Sequence, residues 1–155
     1  DEVYSYFGQY LDKKPVSILV RDFNPEYDYP NCENNHINMP IEFYEKAIER
    51  LGKDRTYIIC SNNIELCEQY DIFQGDNFIF NEVVPDNIYK GHFDLCLISK
   101  CQDFIVSNST FGWWGAWLGA GEGKRVILPT PWYGPGLSYI NTDDLYPDEW
   151  EKIEW

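Results

Sequence analysis

The chain is poor in positive charge. It has 12 Lys and Arg against 26 Asp and Glu, a formal net charge of −14. Nucleic acid and anionic membrane surfaces require a positive face, so neither is expected as its main partner. A phosphate ligand would have to be held locally, by backbone amides and one or two Arg or Lys side chains. No CxxC pair occurs, and the two histidines, His36 and His92, have no partner at ligand spacing, which argues against a metal site. No apolar run reaches spanning length and no signal peptide is evident, so the stretch reads as soluble, without a membrane span. It opens Asp1-Glu-Val-Tyr with no initiating Met and reads as the continuation of an upstream element. A dinucleotide-type GxGxxG is missing too: Gly119-Ala-Gly-Glu-Gly123 has other spacing and follows a helical pattern, as a helix stop does. The five cysteines are odd in number and form no tight pairs. Cys60 and Cys96 fall inside apolar runs, as buried thiols do, and reduced thiols suit a cytoplasmic setting.

Aromatic residues, by contrast, are abundant: 6 Trp, 12 Tyr and 9 Phe in 155 residues, a length that suits one domain with a real core. Most of these rings are expected to pack, leaving a few to stack on flat ligands such as sugars or bases. Residues 2–11 read as a short helix. Val16-Ser-Ile-Leu-Val-Arg21 is apolar on both faces, the mark of a buried parallel strand. Residues 22–40 hold three Pro and five Asn and predict a loop long enough to have a task of its own. A helix follows to Leu51, with Phe43, Tyr44, Ala47, Ile48 and Leu51 at helical spacing. Strands are predicted at 56–60, 77–80, 103–107 and 124–129. Helices are predicted from Ile64 to Gln69, from Asp86 or Asn87 to Lys100 (burying Ile88, Phe93, Leu95, Leu97 and Ile98), and through the aromatic segment to about Ala120. The tail reads as loop with one turn of helix. Five strands alternating with helices imply βαβ units and a parallel, three-layer α/β fold of Rossmann-like type. Such sheets bind ligands beyond the carboxyl ends of their strands. Arg21, Ser61–Asn63 and Ser107–Thr110 all fall at such ends.

The most informative stretch is Phe104-Ile-Val-Ser-Asn-Ser-Thr-Phe-Gly-Trp-Trp-Gly-Ala-Trp-Leu118. A strand breaks into four small polar residues and resumes as a helix. The first N–H groups of such a helix point out of the sheet's carboxyl end, where an anion can sit. Capping alone accounts for Ser107–Thr110 equally well.

This stretch, with Ile98-Ser-Lys-Cys101 before it, resembles the signature of the α-1,2-fucosyltransferases. Val16-Ser-Ile-Leu-Val-Arg21 stands where that family has His-Val-Arg-Arg-Gly-Asp. Phe43-Tyr-Glu-Lys-Ala-Ile48, Ser61-Asn-Asn-Ile-Glu-Leu-Cys67, Val126-Ile-Leu-Pro129 with Trp132, and Asp144-Leu-Tyr-Pro-Asp-Glu-Trp150 follow in the family's order. The resemblance implies the C-terminal, donor-binding half of a GT-B glycosyltransferase. Residues 1–155 would be a single nucleotide-sugar-binding domain, without the family's N-terminal acceptor-side domain. It implies transfer of fucose from GDP-fucose to a glycan acceptor, with inversion and without a metal or other cofactor. Oligomerisation or a partner domain could supply the other side of the cleft. Arg21 matches the family's phosphate-binding Arg, with a strand-end salt bridge as its plainer alternative. Asn108, Ser109 and Thr110 match the phosphate-side turn, and Phe111 is the ring most suited to touch ligand. Trp113, Trp114 and Trp117 are expected to pack. Asp94 stands where related enzymes place an acid that reads guanine, or is an ordinary solvated helix Asp. The family pattern is broken at Leu19, where a His is usual, at Asp22-Phe23-Asn24 in place of Arg-Gly-Asp, and at Asn62-Asn63 in place of an acidic pair. Asp22 is either a catalytic base or a partner for Arg21. Two other readings share the fold pattern: a non-catalytic nucleotide-sugar or glycan-binding scaffold, and a flavodoxin-like or response-regulator-like domain.

Overall fold

A computed structural model describes residues 2–155. Six parallel strands form one sheet: β1 (Val16–Val20), β2 (Tyr57–Ser61), β3 (Phe78–Phe80), β4 (Asp103–Val106), β5 (Val126–Thr130) and β6 (Glu151–Glu154), in the order β3-β2-β1-β4-β5-β6. This is the doubly wound order, whose direction of progression reverses between β1 and β4. It differs from the flavodoxin order, in which β1 lies between β2 and β3, so the flavodoxin-like and response-regulator-like alternative is excluded.

Every residue of β1, β2 and β4 is buried, as expected of central parallel strands covered on both faces. Their side chains alternate between two cores. Leu19, Ile58, Cys60, Phe104 and Val106 pack under α1 (Glu2–Leu11), α5 (Lys90–Ser99) and α6 (Thr110–Leu118). Val16, Ile18, Val20, Tyr57, Ile59 and Ile105 face the other way, toward α3 (Ile41–Leu51). At the amino end of the sheet Arg55 pairs with the buried Asp103, which also accepts the Arg125 N–H at 2.6 Å.

Four expectations are corrected. The sheet has six strands, not five: Glu151–Glu154 pairs with β5 as an edge strand. Only Ile153 of this strand is buried, so its charged sequence carries almost no strand signal, while charge suits an exposed edge. The long loop contains a single helical turn, α2 (Cys32–Asn35). Helix α5 begins at Lys90, not at Asp86 or Asn87; Ile88 stays exposed and Leu95 is half-buried, while Asp94 turns inward. Cys96 is only half-buried, whereas Cys32, Cys60, Cys67 and Cys101 are buried. Burial pushes the Cys60 thiol up to about 12, so it is an inert packing group.

Helix α6 lies very close to the sheet. A Cβ on Gly112 would collide with Leu19 Cδ2 and come within 3.0 Å of Val106 Cγ1. Leu19 therefore packs beneath the first turn of α6. The helix ends at Gly119, as the glycine pattern predicts. There the Lys124 ammonium donates to the carbonyls of Ala116, Trp117 and Gly119 at 2.7–3.1 Å, satisfying acceptors that the helix leaves open.

Candidate active-site cleft

A cleft of about 430 Å³ opens at the carboxyl ends of β1, β2 and β4, at the point where strand order reverses. It is lined by Leu19, Val20 and Arg21 from β1, Ser61 and Asn62 after β2, the Tyr89–Gly91 start of α5 with Asp94, and Ser109 and Phe111 at the start of α6. Of the predicted rim, Arg21, Ser61, Asn62 and Ser109 line this opening, while Asn63, Ser107, Asn108 and Thr110 do not.

Beyond β4, Ser107 and Asn108 are buried and Ser109 nearly so. Ser109 is the N-cap of α6, yet its side chain makes no capping hydrogen bond. Among the described residues, no side chain accepts from the first N–H groups of that helix. Asn108 turns away: its Nδ2 donates to the Ile37 carbonyl at 2.9 Å, and its buried Oδ1 has no hydrogen-bond partner among the described residues. Ser107 Oγ lies against the Tyr44 hydroxyl without closing a well-formed hydrogen bond, and burial pushes Tyr44 well above its ordinary value. Thr110 is exposed and does not line the cleft.

Arg21 lines the cleft but is not idle. It pairs with Asp28, donates to the Asp22 carbonyl at 2.8 Å and lies 4.8 Å over the Phe23 ring. The salt-bridge alternative is thus present in this structure. Asp28 in turn accepts the Asn24 N–H, so the loop folds back onto its own Arg. Phe23 stacks on His36 at 4.8 Å, and Tyr29 Oη contacts His36 Nδ1 at 2.7 Å. Burial first, and the Arg21 guanidinium second, hold His36 below its ordinary value.

Asp22 is tied on every side. One carboxylate oxygen accepts from Asn38 Nδ2 at 3.1 Å and the other from Asn63 Nδ2 at 2.8 Å. Its backbone exchanges two hydrogen bonds with the Asn62 amide, both 2.8 Å. The two Asn after β2 thus clasp the loop after β1. A carboxylate so held fixes the loop after β1 against the turn after β2.

Asp94 is inside rather than solvated. It accepts from Asn81 Nδ2 at 2.7 Å and from the Lys90 ammonium at 2.8 and 2.9 Å, one to each oxygen. The expectation that the tryptophans pack holds for Trp113, which stacks on Trp117 at 5.2 Å and donates to the Leu145 carbonyl at 2.9 Å. It holds only in part for Trp114 and Trp117, which pack on neighbouring Trp rings yet stay about half exposed. They sit on the outer face of α6 because its inner face is taken by Gly112, Gly115 and Ala116. Cleft residues that sequence reasoning passed over are Tyr89, Lys90 and Gly91. The available signal was the spacing of Lys90 and Asp94, which puts them on one helix face.

The model of glycosyl transferase family 11 matches residues 28–154. The chain belongs to glycosyl transferase family 11. It is 33% identical over 168 residues to an Escherichia coli alpha-1,2-colitosyltransferase, covering 99% of this chain and 56% of that protein. It is 31% identical over 127 residues to an Escherichia coli O-antigen biosynthesis glycosyltransferase, covering 80% of this chain and 40% of that one. Human galactoside alpha-(1,2)-fucosyltransferase 1 is 26% identical over 98 residues, covering 63% of this chain and 26% of the enzyme. The chain thus spans about half the length, or less, of the curated relatives it matches. No solved structure matches it at a significant level. Among the described residues, no helix is long and apolar enough to cross a membrane.

Proposed function

We propose that this chain is the donor-binding half of a family 11 glycosyltransferase. It would take a fucose-like sugar from a GDP-linked donor and transfer it to a glycan acceptor, with inversion and without a metal. The observation that carries this reading is the placement of Arg21 and the uncapped start of α6 on one cleft, at the reversal of strand order. When the glycosidic bond to the donor breaks, negative charge collects on the β-phosphate. A guanidinium and helix N–H groups at the cleft stabilise that charge as it forms. Arg21 must then trade Asp28 for phosphate, an exchange of one charged acceptor for another at the same cleft. The relatives' names favour an α-1,2 linkage and a deoxy sugar such as fucose or colitose.

The test is calorimetry with GDP, UDP and GDP-fucose on the chain and on Arg21→Ala, with circular dichroism as the check on folding. Loss of one such donor typically costs about 3 kcal/mol, so GDP affinity is expected to fall roughly 100-fold while the fold persists. Unchanged affinity in the variant would defeat the assignment. Donor hydrolysis by the wild type then separates a transferase from a binding scaffold.

A further inference from the structure

Arg21 alone is a poor match for a diphosphate, which carries more than one negative charge. The other cation lining the cleft is Lys90, at the first position of α5. Building on the donor-cleft reading, we propose that Lys90, anchored by Asp94, is the second diphosphate-binding group of the cleft.

Three observations carry this. First, Lys90 reaches the cleft from α5, whereas Arg21 reaches it from the end of β1, so the two charges come from different elements to one opening. Second, the ammonium is held in place. Asp94 offers one oxygen at 2.8 Å and the other at 2.9 Å, and Asp94 is itself fixed by Asn81 at 2.7 Å. Asn81 is wholly buried; its Oδ1 accepts the Val83 N–H at 3.2 Å, and its Nδ2 lies 3.7 Å from Cys60 Sγ. Third, the donor count leaves room for a ligand. An ammonium has three N–H groups, and Asp94 takes at most two of them, leaving one to donate. Asp94, by contrast, offers only acceptor oxygens and a negative charge, which a phosphate is repelled by. Lys90 rather than Asp94 is therefore the member of the pair that meets the ligand, and Asp94 is a positioning residue behind it. A fixed ammonium also costs less side-chain entropy on binding than a free one.

The experiment is calorimetry of GDP and guanosine binding to the wild type, Lys90→Gln, Lys90→Arg, Asp94→Asn and the Lys90→Gln/Asp94→Asn double variant, with Arg21→Ala as comparator. Thermal melts confirm that each protein folds. Gln still offers Asp94 an amide donor, so Lys90→Gln is expected to fold; Lys90→Arg retains the charge. GDP affinity is expected to fall about tenfold or more in Lys90→Gln, the scale of one charge-assisted hydrogen bond, and to stay within about threefold in Lys90→Arg. Guanosine affinity is expected to be unchanged. Asp94→Asn should weaken GDP binding by less, and should add nothing once Lys90 is Gln, which a purely structural role would not produce. If Lys90→Gln binds GDP within about twofold of wild type while Arg21→Ala binds it roughly 100-fold more weakly, the Lys90 assignment is wrong and the donor cleft stands. An equal loss for guanosine would place Lys90 at the base and also overturn it. Failure of the wild type to bind GDP would remove both the Lys90 assignment and the donor-cleft reading.

Discussion

The turns that follow β2 and β4 have nearly the same composition, Ser-Asn-Asn in one and Ser-Asn-Ser-Thr in the other, and opposite uses. After β2 the polar groups are spent. Ser61 Oγ accepts the Asn63 N–H at 2.9 Å, Asn63 Oδ1 caps α4 (Ile64–Cys67) by accepting the Leu66 N–H at 3.2 Å, and both asparagines hold Asp22. After β4 the cap position makes no such bond, Asn108 serves the loop rather than the helix, and the helix start opens on the cleft. Composition is therefore a poor guide to whether a strand-end turn is a cap or a receptacle. What separates the two is whether the first helical N–H groups already have acceptors.

Closing the second turn should break the contrast most. Ser109→Asp would supply the missing cap carboxylate and place a negative charge where the phosphate is to sit. Melting temperature is expected to rise, by about 0.5–1 kcal/mol of stability, while GDP affinity drops on the order of 100-fold. A stabilised variant that bound GDP as well as wild type would show that the start of α6 is not used. Next in size is Gly112→Ala, which tests how α6 reaches its position. Its new methyl meets Leu19 and Val106, so chemical denaturation should show a loss of about 1–3 kcal/mol, relieved in part by Leu19→Val. The finished turn should respond differently. Asn63→Ala removes a cap and one tie to Asp22, so urea titration is expected to show about 1–2 kcal/mol of destabilisation, with a much smaller effect on GDP affinity than Ser109→Asp has.

The smallest effect concerns His36, in the loop that spans both turns. Its folded-state pKa is lowered, so below an unfolded value of about 6.5 the unfolded chain takes up the proton more readily. This contribution to stability is present above that pH and is lost as pH falls toward the folded value. Urea midpoints measured between pH 7 and pH 5 should decline less steeply in His36→Gln than in wild type. Parallel declines would remove His36 from the account.

Much of the scaffold is legible in the sequence. Apolar runs at Val16–Val20, Tyr57–Ser61 and Asp103–Val106 announce central strands because both their faces are covered. The helical spacing of Phe43, Tyr44, Ala47, Ile48 and Leu51 announces α3 because one face is buried. The edge strand Glu151–Glu154 was not legible, since an edge needs only one apolar contact and tolerates charge. The start of α5 was misplaced because Asp86 and Asn87 look like caps, and whether a polar residue begins a helix depends on what its neighbours must bury.

The sequence by itself determined the alternating α/β pattern, the strands' covered faces, the family signature at Asn108–Trp114 and the excess of acid that leaves few cations for an anionic ligand. Only the tertiary structure decided what each polar residue does. It committed Asp22 to three asparagines, turned Asn108 toward Ile37, buried Asp94 under Lys90 and left Ser109 uncapped. The reason is that periodicity reports how much of a residue is buried, which is a property of one segment. A hydrogen-bond partner is set by which distant segments the strand order brings alongside, and no local pattern encodes that.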